Sequence, residues 1–133
     1  MGKSRILVVD DEPMILELLV TRLEFAGYQT ISARDGHEAL KRLGDTRPHA
    51  MILDVNMPRL DGFGVLKQLH SSARGLTVPV MVLTARYQAG DVQQAIRLGA
   101  RDFLAKPFND NQLLLRVRRL LRPTQVRADV AFI

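Results

Sequence analysis

The chain has 133 residues and a formal net charge of +5, with no cysteine and no tryptophan. A single domain of this size buries roughly two thirds of its unfolded surface and needs no cross-links; the lack of cysteine excludes a disulfide framework, a thiolate metal site and a cysteine nucleophile. The apolar run of "MGKSRILVVDDEP" is too short for a signal peptide and meets acid too soon, and nowhere do about 18 apolar residues run together, so no membrane span and a cytoplasmic setting are expected.

Short aliphatic runs alternate with segments of helical period. "RILVV" (5 to 9) reads as a strand covered on both faces, and from Pro13 an apolar stripe through Ile15, Leu18, Leu19, Leu23 and Phe25 predicts a helix stopped by Gly27. A second strand is expected over Tyr28 to Ala33 and a second helix over Gly36 to Leu43, closed by Gly44. The pattern repeats with a strand at Ala50 to Asp54 and a helix at Asp61 to Leu69, then a strand at Val78 to Leu83 and a helix at Ala89 to Leu98, closed by Gly99. Asp102 to Ala105 and Asn109 to Leu121 supply the last pair, and Pro123 ends the helical pattern. Five βα units in succession predict a doubly wound α/β fold, a five-stranded parallel sheet with five helices on its two faces. Residues 3–122 form this domain; 123–133 read as a linker or the start of a following effector domain.

In such sheets ligands bind beyond the carboxyl ends of the strands. The residues there are Asp10 and Asp11 after the first strand, Asp54 ending the third, Thr84 after the fourth, and Lys106-Pro107 after the fifth. Converging carboxylates repel one another unless a cation neutralises them, and an all-oxygen donor set suits Mg2+. A threonine hydroxyl and a lysine ammonium suit a phosphoryl group. No GxxxxGK[ST] loop occurs, so a nucleotide cradle is not expected and the protein itself is a candidate phosphoryl acceptor. None of His37, His49 and His70 falls at a strand's carboxyl end.

"VVDDEP", "MILDVNMPRLDG", "VLTA" and "ARDFLAKPF", in this order and spacing, resemble the receiver domain of two-component response regulators, with its flavodoxin-like fold. The resemblance implies that Asp54 accepts a phosphoryl group from the phosphohistidine of a sensor histidine kinase or phosphotransfer protein. It implies Mg2+ (Mn2+ as a substitute) held by Asp11, Asp54 and the Asn56 carbonyl, with Asp10 acting largely through water. Thr84 and Lys106 would bind phosphoryl oxygens beside the amides of Val55, Asn56 and Ala85; Lys106-Pro107 would be cis; and Thr84 and Phe103 would form the switch that reshapes the face of helix 4, strand 5 and helix 5. Asn56 orients water less well than a carboxylate would, which implies slow autodephosphorylation. No turnover of a free substrate is implied.

Singly, each residue has a plainer reading: Glu12 and Pro13 begin a helix, Asp61-Gly62 is a turn, Phe103 is a buried strand aromatic, and the arginines of the fifth helix are a solvated face. Two other functions compete. A Mg2+-dependent phosphohydrolase would want a second aspartate two residues after its nucleophile, where Asn56 stands, and a non-phosphorylated adaptor would not need the filled acidic, hydroxyl and lysine positions. The helix 4/strand 5/helix 5 region resembles receivers that pair through that face, except that Arg101 stands where many have an acid. Homodimerisation there, or an effector domain or output protein, is the expected output; direct nucleic-acid binding by this domain is not.

Overall fold

The computed structural model describes residues 2–71, 78–85 and 89–122; the expected linker, 123–133, lies outside them. Strands β1 (Arg5–Val9), β2 (Gln29–Ala33), β3 (Ala50–Asp54), β4 (Val80–Thr84) and β5 (Asp102–Ala105) alternate with helices α1 (Pro13–Phe25), α2 (Gly36–Thr46), α3 (Gly62–His70), α4 (Ala89–Arg97) and α5 (Asp110–Leu120). All strand pairs are parallel, in the order β2-β1-β3-β4-β5. Helices cover both faces. On one, α2, α3 and α4 pack Ala39, Leu66 and Ala95 on Leu7, Met51, Leu53 and Val82; on the other, α1 and α5 pack Leu19, Leu23, Leu113 and Val117 on Ile6, Val8, Ile52 and Met81. Alternate residues of each central strand enter opposite layers, which is why those strands read as continuous aliphatic runs.

The order places a topological switch point between β1 and β3, because the chain moves outward to β2 and then returns to the far side of β1. Register then levels the strand ends. Val9 is opposite Leu53, Asp54 opposite Leu83, and Thr84 opposite Ala105. Asp10, Asp54, Thr84 and Lys106 therefore emerge along one edge.

Helix boundaries follow local chemistry. Gly27 and Gly99 take positive φ (102° and 99°) and end α1 and α4. Gly44 does not end α2, contrary to expectation: the helix runs on to Thr46, and Arg47 takes the left-handed position at φ 48°. A glycine inside a helix costs only about 1 kcal/mol. Here the last turn is held by Arg47 N–H to the Leu43 carbonyl and by the Arg5 guanidinium, which donates to the Thr46 and Arg47 carbonyls at 3.3 and 3.0 Å. Two strands also shift: β2 starts at Gln29 because the Tyr28 amide closes the end of α1 on Leu23, and β4 runs from Val80 to include Thr84. Asp61 and Asn109 are caps rather than first helical residues; Asp61 accepts from Gly64 N–H, and Asn109 forms a capping box with Gln112.

Candidate functional site

Asp10 is fully buried, and both its oxygens are engaged: Oδ1 accepts from the Glu12 amide at 3.0 Å and Oδ2 from Lys106 Nζ at 2.9 Å. Asp11 is half-buried, and the Asp54 side chain is only 3% exposed. One carboxylate oxygen from each of Asp10, Asp11 and Asp54 lies within 4.8 Å of the others. Lys106 supplies the cation closest at hand, 2.9 Å from Asp10 but 3.7 Å from Asp54 Oδ1. That charge does not balance the cluster. Burial, and then the neighbouring Asp10 charge, push the Asp54 carboxyl up to about 6, against the lowering pull of Lys106 and the Asn56 amide. Burial alone would lower the Lys106 pKa, but the hydrogen bond to Asp10 and the charges of Asp54, Asp10 and Glu12 outweigh it and raise it above 10.5.

An under-neutralised set of three hard oxygen donors fits a divalent cation of the Mg2+ type. The donors are not equivalent. Asp10 accepts a short hydrogen bond on each oxygen, whereas Asp11 is half-buried and the buried Asp54 carboxylate is held by longer contacts. Asn56 is exposed and its amide reaches Asp54 Oδ1 at 3.4 Å; Val55 is buried, and Ala85 is exposed just past β4. Thr84 is fully buried, one residue beyond the position opposite Asp54, and its carbonyl accepts from the Lys106 amide at 2.8 Å. Phe103 is half-buried against the layer that holds α2, α3 and α4. The Lys106-Pro107 peptide is cis.

Two neighbours carry more than their plain reading suggested. Glu12 is the residue before α1, but its side chain makes no capping bond; its carboxylate sits 3.9 Å from Lys106 Nζ, where its 65% exposure leaves the interaction weak. Gly62 is packed so tightly behind the third strand that a Cβ there would lie 2.5 Å from the Asp54 carbonyl oxygen and 2.8 Å from Val55 Cα. Its only sequence signal was the turn pair Asp61-Gly62, which cannot report a contact with Asp54. The arginines of α5 also differ among themselves: Arg116 turns back onto Asp102 at 2.6 Å, while Arg118, Arg119 and Arg122 are exposed.

The arrangement has known counterparts. The family model of the response regulator receiver domain matches residues 6–118. The chain belongs to the response regulator receiver family. This receiver domain is 46% identical over 127 residues to the response regulator MprA of Mycobacterium ulcerans, covering 96% of this chain and 54% of that protein. It is 42% identical over 125 residues to the alkaline phosphatase synthesis transcriptional regulatory protein PhoP of Bacillus subtilis, covering 94% of this chain and 51% of that one. The chain thus spans about half the length of the curated relatives it matches. The solved structure of the chemotaxis protein CheY4 of Vibrio cholerae superposes with a TM-score of 0.85 at 33% identity, over 90% of this chain and 100% of that one. Receiver domains are signalling modules of two-component systems, and among the described residues of this one no helix is long and apolar enough to cross a membrane.

Proposed function

We propose that this receiver domain, residues 3–122, is a cytoplasmic phosphorylation switch that accepts a phosphoryl group on Asp54 from the phosphohistidine of a sensor histidine kinase or phosphotransfer protein. The observation that carries the reading is a buried Asp54 carboxylate held 3.7 Å from Lys106 Nζ, with the Asp10 and Asp11 carboxylates beside it. An Asp54 oxygen forms the new bond to phosphorus as the bond from phosphorus to the donor's imidazole nitrogen breaks, and the electron pair leaves with the imidazole. A loose transition state of this kind asks for positioning and charge neutralisation more than for acid/base groups. Mg2+, or Mn2+ in its place, would be held by Asp11, Asp54 and the Asn56 carbonyl, with Asp10 acting through water, and would neutralise charge on the phosphoryl oxygens.

Lys106 exchanges its Asp10 partner for a phosphoryl oxygen, the Thr84 hydroxyl donates to another, and the amides of Val55, Asn56 and Ala85 line the same space. Movement of Thr84 frees room that the Phe103 ring fills, which alters the face of α4, β5 and α5 and so controls pairing or an output partner. Residues 123–133 are read as a linker or the start of a following effector domain. The module modifies itself and turns over no free substrate. Incubation with acetyl phosphate and Mg2+ should load one phosphate per chain, with none on Asp54→Asn. Phosphate on the Asp54→Asn protein, or continuous hydrolysis with no loaded form, would sink the reading.

A further inference from the structure

The chain leaves β3 at Asp54 and enters α3 at Gly62 through a short excursion that carries the Val55 and Asn56 amides. Its two ends are tied together, because the Val55 carbonyl accepts from the Met57 amide at 3.1 Å and from the Gly62 amide at 3.0 Å. The far side of the excursion is held differently. Arg59 has φ 65°, a left-handed conformation that a non-glycine residue keeps only where its surroundings impose it. Arg59 is exposed, so burial of its own side chain does not impose it. The next residue, Leu60, is half-buried against the layer that holds α2, α3 and α4, and it lies over glycines of two different helices. A Cβ on Gly36, the first residue of α2, would meet the Leu60 carbonyl oxygen and lie 2.9 Å from both Leu60 Cγ and Val65 Cγ2. A Cβ on Gly64, in the first turn of α3, would lie 2.5 Å from Leu60 Cδ1.

Leu60 and Val65 flank the Asp61 cap at the two positions that form a hydrophobic staple, one before the cap and one in the first turn and a bit beyond it. Here the staple is shared with a second helix. Gly36 begins α2 directly after the Asp35 cap, whose carboxylate accepts from the Glu38 amide at 2.8 Å, while the Glu38 carboxylate accepts from the Arg34 amide at 2.7 Å. The first turn of α2 is therefore a fixed seat, just beyond Ala33, whose carbonyl accepts from the Asp10 amide at 3.2 Å. One end of the loop is fixed by β3 and the other by Leu60 on that seat, and between them the Asn56 amide stands 3.4 Å from Asp54 Oδ1. We propose that Leu60 is a positioning residue for phosphoryl transfer: seated in the notch of Gly36 and Gly64, it holds the loop from Val55 to Asp61 so that the Asn56 peptide faces the Asp54 carboxylate. It acts through the loop backbone and not on the reacting atoms. The inference rests on the receiver reading above for the reaction, and on the packing alone for the geometry.

The test compares Leu60→Ala, Leu60→Met and Gly36→Ala in the 133-residue chain with Val117→Ala, a control in the opposite core layer. Each protein is measured twice, by its amide NMR spectrum without Mg2+ and by loading from acetyl phosphate as Mg2+ is varied. Leu60→Ala should shift the Val55 and Asn56 amide resonances, slow maximal loading by about tenfold and raise the Mg2+ concentration for half-maximal loading by about threefold, since a misplacement of about 1 Å can cost a reaction about a hundredfold. Leu60→Met, which keeps the side chain's volume, should restore all three to within about twofold. Gly36→Ala should slow loading and move the same resonances from the other helix, although helix propensity alone predicts only a firmer α2. Val117→Ala should lower the melting temperature at least as far as Leu60→Ala does while moving neither the two resonances nor the Mg2+ dependence. Unmoved Val55 and Asn56 resonances in Leu60→Ala, a Leu60→Met protein as slow as Leu60→Ala, or an equal rise in the Mg2+ requirement of Val117→Ala would each overturn the proposal. A parent chain that loads no phosphate would refute the receiver switch instead, and the resonances would still decide for or against Leu60.

Discussion

At the scale of single residues, the site is a store of unfavourable charge. Asp54 has a carboxyl pushed up to about 6 from 3.8, chiefly by burial and by Asp10. A folded-state value above the unfolded one means that the native protein favours the protonated form. The stabilising contribution is fully present below about pH 4 and is lost as pH rises through about 6. Two pKa units correspond to about 3 kcal/mol, so at pH 8 without divalent cations Asp54→Asn should be the more stable protein by on the order of 2–3 kcal/mol. Below pH 5 the difference should shrink toward zero. Urea unfolding in EDTA at pH 5 and pH 8 checks this; a less stable Asp54→Asn protein at pH 8 would show that Lys106 already balances the cluster.

At the scale of elements, the β3–α3 connection is set by absence of a side chain. Helix propensity alone says that Gly62→Ala should stabilise α3 by about 1 kcal/mol. Contact with the Asp54 carbonyl oxygen and Val55 Cα says the reverse, because backbone atoms at 2.5 and 2.8 Å from the added Cβ cannot rotate away. Overpacking of this kind costs roughly 1–3 kcal/mol, and moving the phosphoacceptor's backbone should slow loading from acetyl phosphate by about tenfold or more. Thermal melts and a phosphorylation time course decide; a Gly62→Ala protein that melts no lower than the parent would mean that α3 slides freely on β3. The case also marks what the chain discloses linearly. Strand runs, helix stripes and the line of Asp10, Asp11, Asp54, Thr84 and Lys106 were legible because periodicity and strand ends are local properties that parallel topology maps onto one edge. The close approach at Gly62, the choice of Asp10 by Lys106 and the survival of α2 past Gly44 were not, because each depends on atoms brought together by packing, such as the Arg5 guanidinium 42 residues away from the carbonyl of Arg47.

At the scale of the whole molecule, the carboxylate cluster ties stability to ligand. Asp10 and Asp11 follow β1 and Asp54 ends β3, so their mutual repulsion acts across the switch point at the centre of the sheet. Anything that neutralises it should stabilise the entire domain rather than one loop, since these strands carry both core layers. A ligand at about a hundred times its dissociation constant adds about 2.7 kcal/mol if it binds only the native state. For a domain of this size that is a melting-temperature rise of about 10 °C. Mg2+ should produce it, EDTA should reverse it, and Asp11→Ala should melt above the parent in EDTA yet gain little from Mg2+ and accept no phosphate. Differential scanning calorimetry of the two proteins with and without Mg2+, run beside an acetyl phosphate loading assay, tests all of this. Were Asp11→Ala to melt below the parent in EDTA, the half-buried Asp11 would be contributing favourable contacts that outweigh its repulsion of Asp54, and the Mg2+ effect would have to arise from ordering of the strand-end loops instead of relief of charge.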